Sequence, residues 1–161
     1  MKQYKLPRSF EKGLAYIGLL IVLALLALSA AAGVKITSLE QQRNAEIELF
    51  AIGLEFQIAL NNYVNTTPPG AKRLPENLED LLKDPRTSLL RRHLRKIYID
   101  PMTRQANWGV LISADGKGII GIYSYSKKRP IKIANFPAEF TYFEKANSYQ
   151  DWIFALPLTS R

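Results

Sequence analysis

Arg91-Arg92-His93-Leu94-Arg95-Lys96 is the densest run of cationic side chains in the sequence, and Lys127-Lys128-Arg129 is the second. Runs of this kind keep a surface solvated, or meet an acidic partner, or neutralise phosphates. A solvated face ranks first here. Next comes a subunit contact in which Arg91, Arg92, Arg95 and Lys96 meet an acidic neighbour, and nucleic acid ranks last. Trp108, Tyr123 and Tyr125 could stack bases, but aromatic residues on strands more often fill a core. Asp84 and Asp100 each precede a proline, which suits turns and caps better than acid–base catalysis. Ser124 and Ser126 alternate along an expected strand with no base implied nearby, so they read as ordinary hydroxyls. His93, the single histidine, is expected to be exposed within a basic helix. With one His and no Cys, the chain excludes thiolate metal sites, disulfides and multi-histidine centres. Calcium wants about six to eight oxygen ligands. Between Phe136 and Arg161 the carboxylates are Glu139, Glu144 and Asp151, with no glycine to shape a ligand loop. A weak calcium site at Glu144 and Asp151 is the most this segment offers; otherwise no metal, cofactor or catalytic residue is expected, and the chain does not read as an enzyme.

The elements that would carry these residues are unevenly built. The chain has 161 residues, 47% of them hydrophobic, with a formal net charge of +8. That length suits one modest domain plus an extra element. Leu14 to Val34 contains no charged residue, and as a helix it would span about 31 Å, close to the ~30 Å hydrocarbon core of a bilayer. Lys2, Lys5, Arg8 and Lys12 against Glu11 place positive charge before it, which orients the N-terminus to the cytoplasm and the remainder to the periplasm. A plain single-span anchor fits this pattern. A cleaved secretory signal, using the small residues Ser29-Ala30-Ala31-Ala32, competes with it. Past Lys35 no proline interrupts the chain to Val64. Ile47, Phe50, Leu54 and Ile58, with Leu49, Ile52, Phe56, Leu60 and Tyr63, predict one broad apolar helix face. Gly33 and Gly53 are weak points where this helix of about 50 residues and roughly 75 Å could bend.

Asn65-Thr-Thr-Pro-Pro-Gly-Ala71 marks the next boundary. A helix is expected from Pro75 to about Lys83, ended by Asp84-Pro85, and a second from Thr87 or Ser88 to about Lys96. Trp108–Ile112 and Ile119–Ser126, joined through Asp115-Gly116-Lys117-Gly118, read as a hairpin, with Ile131–Ala134 as a third strand. The aromatic segment from Phe136 to Phe154 reads as a loop pinned by its rings. The divisions are therefore 1–13, a basic leader; 14–64, a long helix (14–34 transmembrane, 35–64 amphipathic); 65–106, a connecting region with short helices; 107–135, an antiparallel sheet; and 136–161, an aromatic loop. The fold class is α+β, a long N-terminal membrane-spanning helix whose C-terminal half packs on a small antiparallel sheet.

A basic leader ending in Gly13, followed by Leu14-Ala-Tyr-Ile-Gly-Leu-Leu-Ile-Val-Leu-Ala24 and an amphipathic continuation, resembles the type IV pilin and type II secretion pseudopilin family. Leu74-Pro-Glu-Asn-Leu-Glu-Asp-Leu-Leu-Lys-Asp-Pro-Arg86, Tyr98-Ile-Asp-Pro-Met102, Trp108-Gly109 and Gly121–Ser126 extend the resemblance along most of the chain. The resemblance implies a pilin-like fold, processing between Gly13 and Leu14 by a prepilin peptidase, and methylation of Leu14. It implies that Leu14, Gly18, Leu19, Leu20, Val22 and Leu23 serve in membrane lipid and then in the filament. Its implied partners are homologous pilins or pseudopilins and an inner-membrane assembly platform. Gly18 stands where the family carries a glutamate, a departure typical of some minor, tip-located subunits. The function so implied is a structural subunit of a type II secretion pseudopilus, a single-pass inner-membrane protein assembling into a short periplasmic filament that drives export. A minor pilin of a surface or DNA-uptake pilus, and a membrane-anchored periplasmic binding module, are the alternatives.

Overall fold

A computed structural model describes residues 8–157, with the side chains at 8–14 and 28–37 outside that description. The chain forms two compact units, Met1–Gln41 and Gln42–Arg161. Helix α1 (Arg8–Asn65) contributes to both.

In the first unit α1 carries an uninterrupted apolar sequence. The described side chains from Ala15 to Ala27 are all exposed, including Tyr16, Leu19, Leu20, Val22, Leu23 and Leu26. The next described side chains, from Ser38 onward, bring in Glu40, Arg43, Glu46 and Glu48. Among the described residues no helix is long and apolar enough to cross a membrane. That finding corrects the expected membrane-spanning helix at Leu14–Val34. The leader residues 1–7 and the side chains of the alternative cleavage stretch Ser29–Ala32 lie outside the described residues.

The second unit is α+β. One row of α1, Leu49, Ile52, Phe56, Ala59, Leu60 and Tyr63, is buried, at the three- and four-residue steps that place side chains on one face. The broad face expected from the sequence is narrower in the structure. Phe50 and Leu54 are only partly covered, and Ile47 and Ile58 are exposed. At about 100° per residue those two lie roughly opposite the buried row. Against the row sits an antiparallel sheet of order β1-β2-β3: β1 (Gly109–Ile112), β2 (Ile119–Tyr123) and β3 (Phe154–Ala155). β1 pairs β2 from Gly109↔Tyr123 to Ile112↔Ile119, with a bulge between Leu111 and Ile112. Their turn is closed by Ser113 and Gly118, whose N–H···O bond is 2.9 Å, with Gly116 at φ 69°. That is the left-handed geometry for which an Asp-Gly turn is suited.

The third strand is β3, not Ile131–Ala134. The N–H groups of Ile131 and Lys132 donate instead to the buried Glu46 carboxylate of α1, at 3.1 and 3.0 Å. β3 crosses α1 at Gly53, where a Cβ would lie only 2.4 Å from the Phe154 ring. Gly53 is thus a point of close helix–strand approach. Gln57 Nε2 donates to the Ala155 carbonyl at 2.7 Å beside it. The core closes over the segment 136–154, where Phe140, Phe143, Tyr149, Trp152 and Phe154 are buried while Tyr142 stays half-exposed. Phe143 and Trp152 stack at 5.1 Å and 3°. This stacking holds the Trp152 ring in place although its buried Nε1 has no hydrogen-bond partner among the described residues.

Candidate functional site

The Asp84–Arg86–His93 cluster organises the longest irregular surface segment of the second unit. Asp84 follows a single 3-10 turn, Leu78–Leu81, where a longer helix from Pro75 to Lys83 was expected. Its carboxylate accepts from Arg86 Nε at 2.8 Å and from Nη2 at 2.7 Å. The His93 ring nitrogen Nε2 lies 3.1 Å from the same carboxylate. The guanidinium then reaches α1. It lies 3.4 Å over the Tyr63 ring and donates to the Tyr63 carbonyl at 2.9 Å and to Thr67 Oγ1 at 2.8 Å. The side chains of Asp84, Arg86 and His93 are all almost completely buried. The Arg86 hydrogen bond, reinforced by the histidine, holds the Asp84 carboxyl well below the usual carboxylate range, and Asp84 raises Arg86 in turn. Burial pushes the Tyr63 phenol up.

Backbone bonds complete the clamp. Asp84 N–H donates to the Arg91 carbonyl at 3.0 Å, and the N–H groups of His93 and Leu94 donate to the Leu81 carbonyl at 2.8 and 2.9 Å. These bonds replace the second helix expected from Thr87 or Ser88 to Lys96. They also bury the His93 ring, which the sequence reading placed in solvent. An Asp–His pair is half of a catalytic relay. Here the carboxylate is shared with Arg86, and the His93 ring stands edge-on to Tyr63 at 5.3 Å, so the arrangement reads as a fastening of the loop onto α1.

Between the clamped ends the chain displays Leu89 and Leu90, 81% and 65% exposed. Arg91, Arg92, Arg95 and Lys96 follow, all exposed. Arg91 makes a long contact to the Thr66 carbonyl at 3.5 Å, and Lys96 lies 5.2 Å over the Tyr98 ring. The sequence reading singled out these four cations but neither the leucine pair nor Arg86. The only signal for Arg86 was its place two residues after Asp84. Asp100 fastens a second turn, accepting from Met102 N–H at 2.8 Å, Thr103 Oγ1 at 2.9 Å and the buried Ser124 Oγ at 2.7 Å.

A groove of about 680 Å³ opens beside the end of α1, among Asn61, Asn65, Arg73, Ile112 and Lys117. Its charges are largely matched locally, Lys72 by Glu76 and Lys117 by Asp115, which leaves it little pull on a charged ligand. At the C-terminal segment Asp151 Oδ2 accepts from the N–H groups of Asn147 and Ser148, both at 2.9 Å, and so caps a short 3-10 turn. Among the described residues no group of acidic or histidine side chains is gathered to hold a metal ion. In the first unit Gly18, Leu19, Leu20, Val22 and Leu23 all lie exposed on α1. Gly13 and Leu14 belong to the helix, with their side chains outside the described set. No family model, curated protein or solved structure matches the chain.

Proposed function

We propose that this protein is a non-enzymatic, pilin-like filament subunit, in which the apolar part of α1 packs against the same element of neighbouring subunits. The observation that carries the reading is the run of exposed apolar side chains from Ala15 to Ala27, open on every side of the helix. A helix with no polar face cannot be satisfied by a single flanking domain and calls for surrounding helices. Ile47 and Ile58 are likewise exposed apolar residues of α1, within the second unit. The family resemblance of the sequence points to secretion as the setting, with homologous subunits as the partners. The absence of a glutamate at Gly18 points to a minor position in the filament.

The test is cross-linking in the producing cell. The chain has no cysteine, so a single Leu20→Cys substitution gives one reactive thiol. Oxidation should give Leu20–Leu20 dimers, or adducts with pilin-like subunits carrying the matching cysteine. Mass spectrometry of the native chain should find its N-terminus at methylated Leu14. A chain that remains monomeric under oxidation and retains Met1 would remove the proposal.

A further inference from the structure

We propose that the loop 87–96 docks on the surface of an anionic bilayer. In this arrangement Leu89 and Leu90 enter the interfacial layer while Arg91, Arg92, Arg95 and Lys96 meet lipid phosphates. The surface lies wholly within residues 42–161, outside the Ala15–Ala27 run, so it extends the proposed function without resting on it.

Three observations converge on this loop. The two leucines are sequential, both strongly exposed, and lie in a segment without helix or strand. Exposed apolar area beside exposed cations is the combination that gains both from the acyl boundary and from anionic headgroups. From Pro85 to Ile99 there is no carboxylate. The one buried cation, Arg86, is already matched by Asp84, so the exposed charge is of one sign, as an anionic headgroup layer requires. Finally, the loop is held at both ends by the Asp84 bonds to Arg86, His93 and the Arg91 carbonyl. Its conformation is therefore set before contact, which limits the ordering cost of binding.

The experiment uses the full chain with Leu90→Cys as its only thiol, labelled with an environment-sensitive nitrobenzoxadiazole probe. The vesicles are phosphatidylcholine alone or phosphatidylcholine with phosphatidylglycerol. The apolar helix can itself bring the chain to either vesicle, so the local signal at position 90, not co-sedimentation, decides. A blue shift with rising emission is expected on the anionic vesicles alone. It should weaken by about fivefold in apparent affinity for each cation replaced in the series Arg91→Gln, Arg92→Gln, Arg95→Gln and Lys96→Gln. High salt should weaken it further. A probe at Ile133→Cys, exposed elsewhere on the same unit, should remain aqueous, and Leu89→Cys should repeat the result of Leu90→Cys. An aqueous probe on both vesicles, or equal shifts on both, overturns the proposal. So does a shift produced by polyglutamate and not by anionic vesicles, which would assign the loop to an acidic protein.

Discussion

Asp84 shows how much one side chain can organise. It gathers a guanidinium, an imidazole and a backbone N–H, and through Arg86 it holds the loop against the ring of Tyr63. Replacing it with alanine leaves Arg86 buried without a counter-charge, a loss of about 3–5 kcal/mol that urea denaturation would read directly. Its effect also depends on pH. The folded carboxyl titrates below its ordinary value of about 3.9, so as pH falls the unfolded chain takes up the proton first. Its stabilisation is complete above the unfolded pKa and is lost as pH drops through and below it. Unfolding curves at successive pH values from neutrality to about 3 should show declining stability, and Asp84→Asn should flatten that decline. Glu46 fastens another junction, accepting from the N–H groups of Ile131 and Lys132. Glu46→Ala should cost about 1.5–3 kcal/mol, measured by the same denaturation.

At the scale of elements, α1 and β3 meet at Gly53 with no room for a side chain between them. Gly53→Ala would set a methyl group against the Phe154 ring and should cost about 1–3 kcal/mol by overpacking. Adding Phe154→Leu should recover part of this loss, with a coupling above about 0.5 kcal/mol in a double-mutant cycle. The sequence made some elements plain and hid others for identifiable reasons. The β1–β2 hairpin was legible because alternation on both sides meets an Asp-Gly turn. The buried row from Leu49 to Tyr63 was legible from its spacing, although the row of Ile47, Phe50, Leu54 and Ile58 has the same spacing and is covered only in part, at Phe50 and Leu54. Ile131–Ala134 looked like a strand because nothing local reveals that a glutamate 85 residues earlier takes its N–H groups. β3, only Phe154–Ala155, is too short to show a period. The basic cluster was visible in composition. Its irregular backbone was not, because the fastening of Asp84 to Arg86 and His93 overrides the helical tendency of the residues between.

For the molecule as a whole, the two units separate in their demands. The second has its own core, with residues from α1, the sheet and the aromatic segment. A fragment of residues 42–161 should therefore unfold in a single cooperative transition by circular dichroism, and removing 136–157 from it should abolish that transition. In the first unit the described side chains from Ala15 to Ala27 are exposed, and in the proposed filament neighbouring helices would cover them. Gly18 has open space where a side chain would start, so Gly18→Glu should leave the melting temperature of the chain unchanged. Any effect of that substitution should show only in the yield of cross-linked assemblies.

The pairing of α1 with the strand that closes the core has a consequence in time. Gln57 and its partner Ala155 are separated by 98 positions, and a ribosome adding about 5–20 residues per second needs roughly 5–20 s to make that interval. Throughout it the row from Leu49 to Tyr63 is present without the rings that will cover it. A nascent chain of this design waits, sticky, for its own last segment, and trigger-factor-like holding activity during translation should raise its soluble yield more than chaperones supplied after release.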